Sequence, residues 1–432
     1  MRIREDQVYE IAGIGFGPSN LSLAIAVREH PSNIPERPVT AVFFERQPEF
    51  GWHRNMLLPD VTMQVSFLKD LVTFRNPVSR FGFVSYLHQA GRLPRFVNNQ
   101  DFFPTRAEFH DYLEWAQACF ADQVCYGSEV VAIGRPSGDG PAGCLRLEVR
   151  DAAGAVRVVH ARNVVISTGL VPRMPEGVKR DDRVWHSSEF LERFNGADRH
   201  ELKNVAVVGG GQSAAEMTRF LYDELPHAQI HSIVPSYGYS LADDTPFANR
   251  VFDPEAVDHY YFATPQTRDD FWRCHRNTNY SVVDSDVIRD LYRRWYGEGV
   301  RNTSRLRFLN LTRLTGVKRA GSETRVVLHS LLDDEIQELS VDAVACGTGY
   351  DAMDPVHLLG DLDRHCLRDD SGQLRVSRDY RVLTTPELSC GIYLQGGTEH
   401  SHGLSSSLLS NIALRSGEIT DSIIHGLPDP GR

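Results

Sequence analysis

Two stretches of this 432-residue chain share one design, roughly 195 residues apart: YEIAGIGFGPSNLSLAIA from Tyr9 and NVAVVGGGQSAAEMTRFL from Asn204. Each reads as a short apolar strand, a glycine-rich turn and a helix rich in alanine and leucine. In such a turn the first glycine permits a tight strand exit and the second lets backbone approach a pyrophosphate. The helix start then offers free N–H groups and a partial positive charge. Two such units in one chain imply two dinucleotides held for a joint reaction. The expected fold class is therefore α/β, with two Rossmann-like dinucleotide-binding domains.

In the first turn these positions are Gly13 and Gly15, with Gly17 adding room and Pro18 standing where the fingerprint has Gly or Ala. Glu45 closes the next strand candidate, where a carboxylate accepts ribose hydroxyls. In the second turn Gly209, Gly211 and Ala214 fit G-x-G-x-x-A, and no acid ends the following strand candidate, Gln229–Val234. A missing acid favours a 2′-phosphorylated nucleotide. The strand ends Thr168-Gly169 and Gly347-Thr348-Gly349-Tyr350 point the same way, to a flavoprotein with two dinucleotides.

Further strand candidates are Ala41–Glu45, Val130–Ile133, Leu145–Val149, Asn163–Ser167, Thr324–Leu328 and Val341–Cys346. Residues 135–143 read as a loop, Arg106–Phe120 as a helix led by Pro104-Thr105, and Asp269–Trp295 as broken helices. The expected organisation is one dinucleotide-binding domain from 1–200 and 343–432, a second from 201–244 and 301–342, and a small, mainly helical segment at 245–300. Fifty-seven acidic against 46 basic residues give a net charge of −11, no surplus for neutralising phosphates, so neither a nucleic acid nor a membrane is an expected partner. Seven cysteines without a C-x-x-C pair exclude a zinc ribbon and give no dithiol to a disulfide reductase. With no apolar leader and no 18-residue apolar span, the expectation is a cytoplasmic enzyme.

At residues 50–71 the sequence becomes specific. FGWHRNM from Phe50, MQVSFLKDL from Met63, FPTRAEF from Phe103, DDTPFAN from Asp243, NTNYSVV from Asn277 and HGLS from His402 closely resemble the N-hydroxylating flavin monooxygenases of siderophore-type biosynthesis. These are the microbial L-ornithine N5- and L-lysine N6-monooxygenases, and the likeness runs from about residue 8 to 425 in family order. NYSVV together with TEHSHGLS looks more like the ornithine branch. The resemblance implies reduction of FAD by NADPH, reaction with O2 to a C4a-hydroperoxyflavin, and transfer of oxygen to the side-chain amine of L-ornithine. It also implies that the domain of 1–200 and 343–432 holds FAD, that of 201–244 and 301–342 NAD(P)H and the segment 245–300 the substrate, and a homo-oligomer such as a tetramer. The alternatives are L-lysine or a diamine such as putrescine as substrate and, outside the class, a non-oxygenating NAD(P)H reductase.

By the same resemblance Lys69 contacts the substrate carboxylate, Asn249 and Asn279 surround its amino groups, and Ser405 touches flavin or substrate. Trp52, His53, Met63 and Gln64 match flavin contacts, Arg106 lies near flavin or nicotinamide, and Gln212 and Ser213 match NADPH contacts. No catalytic Asp or Glu is expected at the reacting nitrogen. An amine of pKa about 10.4 costs about 4.6 kcal/mol to deprotonate at pH 7, and a carboxylate beside it would add to that. Relatives often carry an arginine ahead of the Asp-Asp-x-Pro-Phe motif for the 2′-phosphate; here Val234–Tyr239 holds none, so some NADH use is expected. His400-Ser401-His402 has no third ligand cluster in the sequence, and no metal is expected.

Overall fold

A computed structural model describes residues 7–136, 143–320 and 323–426, so residues 137–142 of the loop expected at 135–143 lie outside the described residues. Val8–Ile14 is the inner strand of a seven-stranded sheet, running parallel to Ala41–Phe44 on one side and to Val156–Ile166 on the other. Its side chains alternate between two cores: Ala12 and Ile14 enter one, Ile11 the other. A strand covered on both faces reads as a continuous apolar run, as IAGI does.

Val156–Ile166 is longer than its expected core because, beyond Val8–Ile14, it serves two further neighbours on its other edge. Its first half pairs antiparallel with Leu145–Asp151, which continues to Ser128–Gly134; its second half pairs parallel with Gly391–Leu394. The C-terminal strand therefore joins the sheet that the N-terminus began. The helix Ile412–His425 then packs along Pro18–Glu29, the helix of the first glycine turn. Pro18 opens that helix at a position where its missing N–H costs nothing.

The helix Arg106–Gln117 starts as its capping box dictates, with Thr105 Oγ1 accepting the Glu108 N–H at 3.1 Å. Phe109, Tyr112, Leu113 and Ala116 are all buried. A tighter turn at Ala118–Phe120 finishes the run.

The second sheet is fully parallel, in the order Leu306–Leu309, Gln229–Ile233, Asn204–Val208, Ala343–Cys346, Val184–His186. This corrects two of the expected boundaries. Val184–His186, placed in the first domain by a cut at 200, is an edge strand of the second sheet, and Ala343–Cys346, placed in the C-terminal part, lies beside Asn204–Val208. A third correction concerns 245–300: Ser285–Val300 is the crossover that parallel pairing of Gln229–Ile233 with Leu306–Leu309 requires. Its Val287 and Leu291 enter the core under that sheet with Val205, Val207 and Leu221. The separate helical segment is thus shorter, made of Ala248–Phe252, Pro254–Tyr261 and Pro265–His275.

A three-stranded antiparallel sheet, Thr312–Ala320, Glu323–Ser330 and Ile336–Val341, covers the other face. Between the two large sheets, Leu170–Pro172 pairs with Tyr350–Ala352, so the outgoing and returning chains are tied together. Among the described residues no helix is long and apolar enough to cross a membrane.

Candidate active site

The first glycine turn is built for a backbone–ligand approach. A Cβ on Gly13 would fall 2.3 Å from the Phe43 ring, and one on Gly15, at φ +82°, would fall 2.3 Å from the Ser167 carbonyl oxygen. Gly17, the N-cap of Pro18–Glu29, opens on free space. Asn20, fully buried, donates to the Gly15 carbonyl at 2.7 Å and fixes the loop from below. Glu45 reaches this loop, but its first task is structural: Oε2 accepts the Phe16 N–H at 2.8 Å and Oε1 the Gln47 N–H at 2.9 Å. A carboxylate has about four lone-pair sites, so acceptor capacity remains for a ribose.

The second turn repeats the plan. Gly209 has φ +136° and leaves 2.3 Å between its virtual Cβ and the Gly347 carbonyl oxygen. A Cβ on Gly347 would sit 2.7 Å from backbone atoms of Ala214, so a small residue is required on both sides where helix meets strand. Gly211 is the N-cap of Gln212–Glu224. Gln212 is not free at the helix start: Nε2 donates to Glu216 and Asp284, and Oε1 accepts the Asp284 N–H at 2.8 Å. Ser213 lies half-buried beside it. In the following loop Ser236 is close to Gly210 and Tyr237 stands 79% exposed, with no guanidinium among residues 234–239.

Phe252 links Lys69 to the chain neighbours of the other expected substrate residues. Lys69 is half-buried with Nζ 5.4 Å from the Phe252 ring centroid. Its neighbour Asp70 is not its partner. That carboxylate is buried and accepts N–H groups of Val72, Thr73 and Phe83 at 2.7–3.0 Å. Burial pushes the Lys69 ammonium below the usual lysine range, with Asp253 opposing. Phe252 packs with Leu404, next to Ser405, and with Tyr280, next to Asn279. Asn249 lies in the turn Ala248–Phe252, and its Nδ2 donates to the Asp244 carbonyl at 2.7 Å. Ser405 is buried. Tyr280 donates to Glu399, a carboxyl raised by burial.

The remaining expected residues divide. Met63 is buried in the core beside Phe50, and half-buried Trp52 packs on Phe109 with ring centroids 6.0 Å apart. His53, at φ +50°, is exposed and edge-on to Trp52. Gln64 Nε2 donates to Asp284 Oδ1 at 3.1 Å. Arg106 is neither a cap nor a surface pair. It grips Glu216 with two bonds of 3.0 Å, and Nη1 also donates to the Met56 carbonyl at 2.8 Å. Glu216 is buried at 1% exposure and the Arg106 side chain is mostly covered, at 12%. One chain of polar contacts thus runs Arg106–Glu216–Gln212–Asp284–Gln64, from first sheet to second and back. The Asp284 carboxyl is raised chiefly by burial, with Glu216 adding to it.

Residues 7–352 match the family model described as L-lysine 6-monooxygenase/L-ornithine 5-monooxygenase. The chain belongs to this family. An L-ornithine N(5)-monooxygenase of Pseudomonas aeruginosa is 38% identical over 97% of this chain and 94% of its own. The structure of an ornithine N-hydroxylase of Kutzneria sp. 744, in a complex with reduced FAD, NADP+ and L-ornithine, superposes with a TM-score of 0.94 at 58% identity, covering 97% of this chain and 99% of the other. An L-lysine 6-monooxygenase of Pseudomonas syringae follows at TM-score 0.83 and 29% identity, over 97% and 100%.

Within this family member the geometry adds Glu216, Asp284 and Phe252, which the motifs did not single out, and gives Tyr280 and Gly347, seen only as parts of a motif and a strand end, packing roles of their own. Asp284 carries a visible signal, an Asp just ahead of a helix, and Glu216 stands one turn after Gln212 in an otherwise small and apolar run. The His400-Ser401-His402 pair lies on a helical turn, and its rings find different partners. His400 contacts the Leu374 carbonyl, while His402 contacts Ser401 and the Arg378 carbonyl. Among the described residues no group of three or more His, Cys, Asp or Glu is placed to hold a metal ion.

Proposed function

We propose that this chain N-hydroxylates the side-chain amine of L-ornithine, using FAD, NADPH and O2. The balance is one amine, one O2, one NADPH and one proton in; one hydroxylamine, one water and NADP+ out. Bound FAD supplies the redox chemistry, taking electrons from NADPH and activating oxygen. The turn at Gly13, Gly15 and Gly17 fits the FAD pyrophosphate, since two of its three glycines could bear no Cβ and the third faces open space. The turn at Gly209 and Gly211, with Gln212, Ser213 and Ala214, fits the nicotinamide nucleotide. In domain terms, residues from about 170 to 350 serve NADPH and the flanking segments serve FAD. The product N5-hydroxyornithine suits siderophore-type hydroxamate assembly in the cytoplasm.

The observation that carries the substrate reading is Lys69. Its ammonium is half-buried, close to Phe252 and spared by Asp70, so a substrate carboxylate is its natural partner. Asn249, Asn279 and Ser405 supply neutral polar groups around that point, which leaves the side-chain amine free to lose its proton. The apolar wall of Phe252, Leu404 and Tyr280 excludes water. Trp52, His53, Met63, Gln64 and Arg106 are assigned to the flavin side, the last two through Asp284 and Glu216.

The 58% identity to an ornithine hydroxylase supports ornithine over lysine, although one methylene is worth only about 1–3 kcal/mol in discrimination. The test is NADPH consumption matched against hydroxylamine formed from ornithine, lysine, putrescine and cadaverine. Coupled turnover with ornithine is expected. Oxidation of NADPH without hydroxylamine from any of the four removes the assignment. We extend the proposal to a homo-oligomer, a tetramer, because Tyr292, Trp295, Tyr296 and Val300 form an exposed apolar row on Ser285–Val300. A monomer by sedimentation removes that extension.

A further inference from the structure

Arg415 sits in the first turn of the C-terminal helix and is 2% exposed. Each of its three nitrogens has a neutral partner. Nη1 donates to the Ser406 carbonyl, Nη2 to Ser19 Oγ at 3.3 Å and Nε to Gln395 Oε1 at 3.4 Å. The nearby carboxylate of Glu418 is already engaged, both oxygens held by Arg378 at 2.8 and 3.1 Å. A charged group so deep in protein normally faces an opposite charge. Burial alone pulls the guanidinium below its usual range.

A second positive feature converges on the same point. Ser19 belongs to the opening turn of Pro18–Glu29, whose N-terminus has no side-chain cap and no acidic residue in its first turn. Gly17 ahead of it opens on free space. Gln395 and Ser416 both reach the Ser19 carbonyl, at 3.2 and 3.5 Å, so this serine is held from the C-terminal side. Ser406 Oγ is buried beside Arg415 without a partner. A helix dipole and a buried guanidinium thus meet, and the groups that hold Arg415 are neutral.

We propose that Arg415 is a positioning residue for FAD: its charge, carried through Ser19, balances the pyrophosphate at the first glycine turn. This rests on the FAD reading above. It explains why a cation is tolerated at a depth where an aliphatic side chain would pack without cost. It also makes the C-terminal helix part of the cofactor site and not merely its cover.

The test uses the full chain, flavin-stripped and FAD-loaded, as wild type, Arg415→Met and Arg415→Lys. Two readouts are taken, the affinity for FAD and for riboflavin by fluorescence quenching, and melting temperature by circular dichroism with and without FAD. Arg415→Met is expected to weaken FAD by roughly ten- to a hundredfold, the range of a charge-assisted contact. Riboflavin, which has no pyrophosphate, is expected to bind it as it binds wild type. The rise in melting temperature conferred by FAD should shrink in Arg415→Met and return in part in Arg415→Lys. Equal weakening of FAD and riboflavin, unchanged FAD affinity, or a stripped Arg415→Met protein that fails to fold would each assign Arg415 a purely structural role and overturn the proposal. Wild type that binds no FAD would overturn the functional reading itself, a distinct result.

Discussion

Lys69 and His402 show how burial turns single side chains into testable groups. Lys69→Met removes the ammonium but keeps the aliphatic stem. Steady-state kinetics should show KM for ornithine rising roughly ten- to a hundredfold, the worth of one charge-assisted contact. FAD content and anaerobic flavin reduction by NADPH should stay near wild type, and the preference for ornithine over putrescine should collapse. His402 is wholly buried and stacked on Tyr380, with burial holding its imidazole down to about 3; burial likewise holds His231 down to about 4. In an unfolded chain both titrate near 6.5. A depressed folded pKa contributes stability above about pH 6.5 that is lost as pH falls toward the folded values. Denaturant unfolding at pH 5 should therefore lie below that at pH 7 by up to about 2 kcal/mol for each histidine. His402→Gln should remove its share of that slope. The sequence displayed both residues, and the resemblance marked Lys69. That Asp70 is turned inward was not legible, because the N–H that joins those of Val72 and Thr73 on its carboxylate comes from Phe83, thirteen residues on.

At the scale of elements, the glycine turns were readable because their constraint is local: a backbone angle, a strand exit, a helix start. Gly347 was readable only as part of a strand end. Its packing requirement comes from Ala214, on a helix 133 residues earlier that lies across the strand. Gly347→Ala should push that helix away from the sheet. The expected outcome is a several-fold higher KM for NADPH and a stability loss of about 1–3 kcal/mol, the usual range for overpacking, with FAD content retained. Flavin absorbance of the purified variant together with NADPH titration checks this. Most of the helix Ser285–Val300 fell within Asp269–Trp295, read as broken helices, and the whole of it was assigned to the substrate segment. Its membership in the second sheet is decided by which strands are parallel neighbours, a property no local pattern carries.

For the whole molecule, the contact chain Arg106–Glu216–Gln212–Asp284–Gln64 fastens the two sheets, helped by Asn55, whose Nδ2 donates to the Ser188 carbonyl at 2.8 Å. Glu216→Gln leaves Arg106 buried without its counter-charge, and breaking such a pair costs roughly 3–5 kcal/mol. Unfolding measurements should register that loss. In stopped-flow experiments flavin reduction by NADPH should slow, because it needs both sheets in register. Chemically reduced enzyme, which needs no hydride from NADPH, should react with O2 at close to the wild-type rate. Equal slowing of both half-reactions would remove the fastening role.

The sequence by itself determined two dinucleotide turns, an α/β chain, the family and the residue types gathered around the substrate. Each rests on short-range geometry or on motifs a few residues long. Tertiary structure alone decided where one sheet ends and the other begins, that Arg106 faces Glu216, and that Arg415 meets Ser19 across nearly the whole chain. The reason is physical. Strand order and buried charge pairing are settled by competition among distant segments for the same neighbours, and that competition leaves no trace in the spacing of residues along the chain.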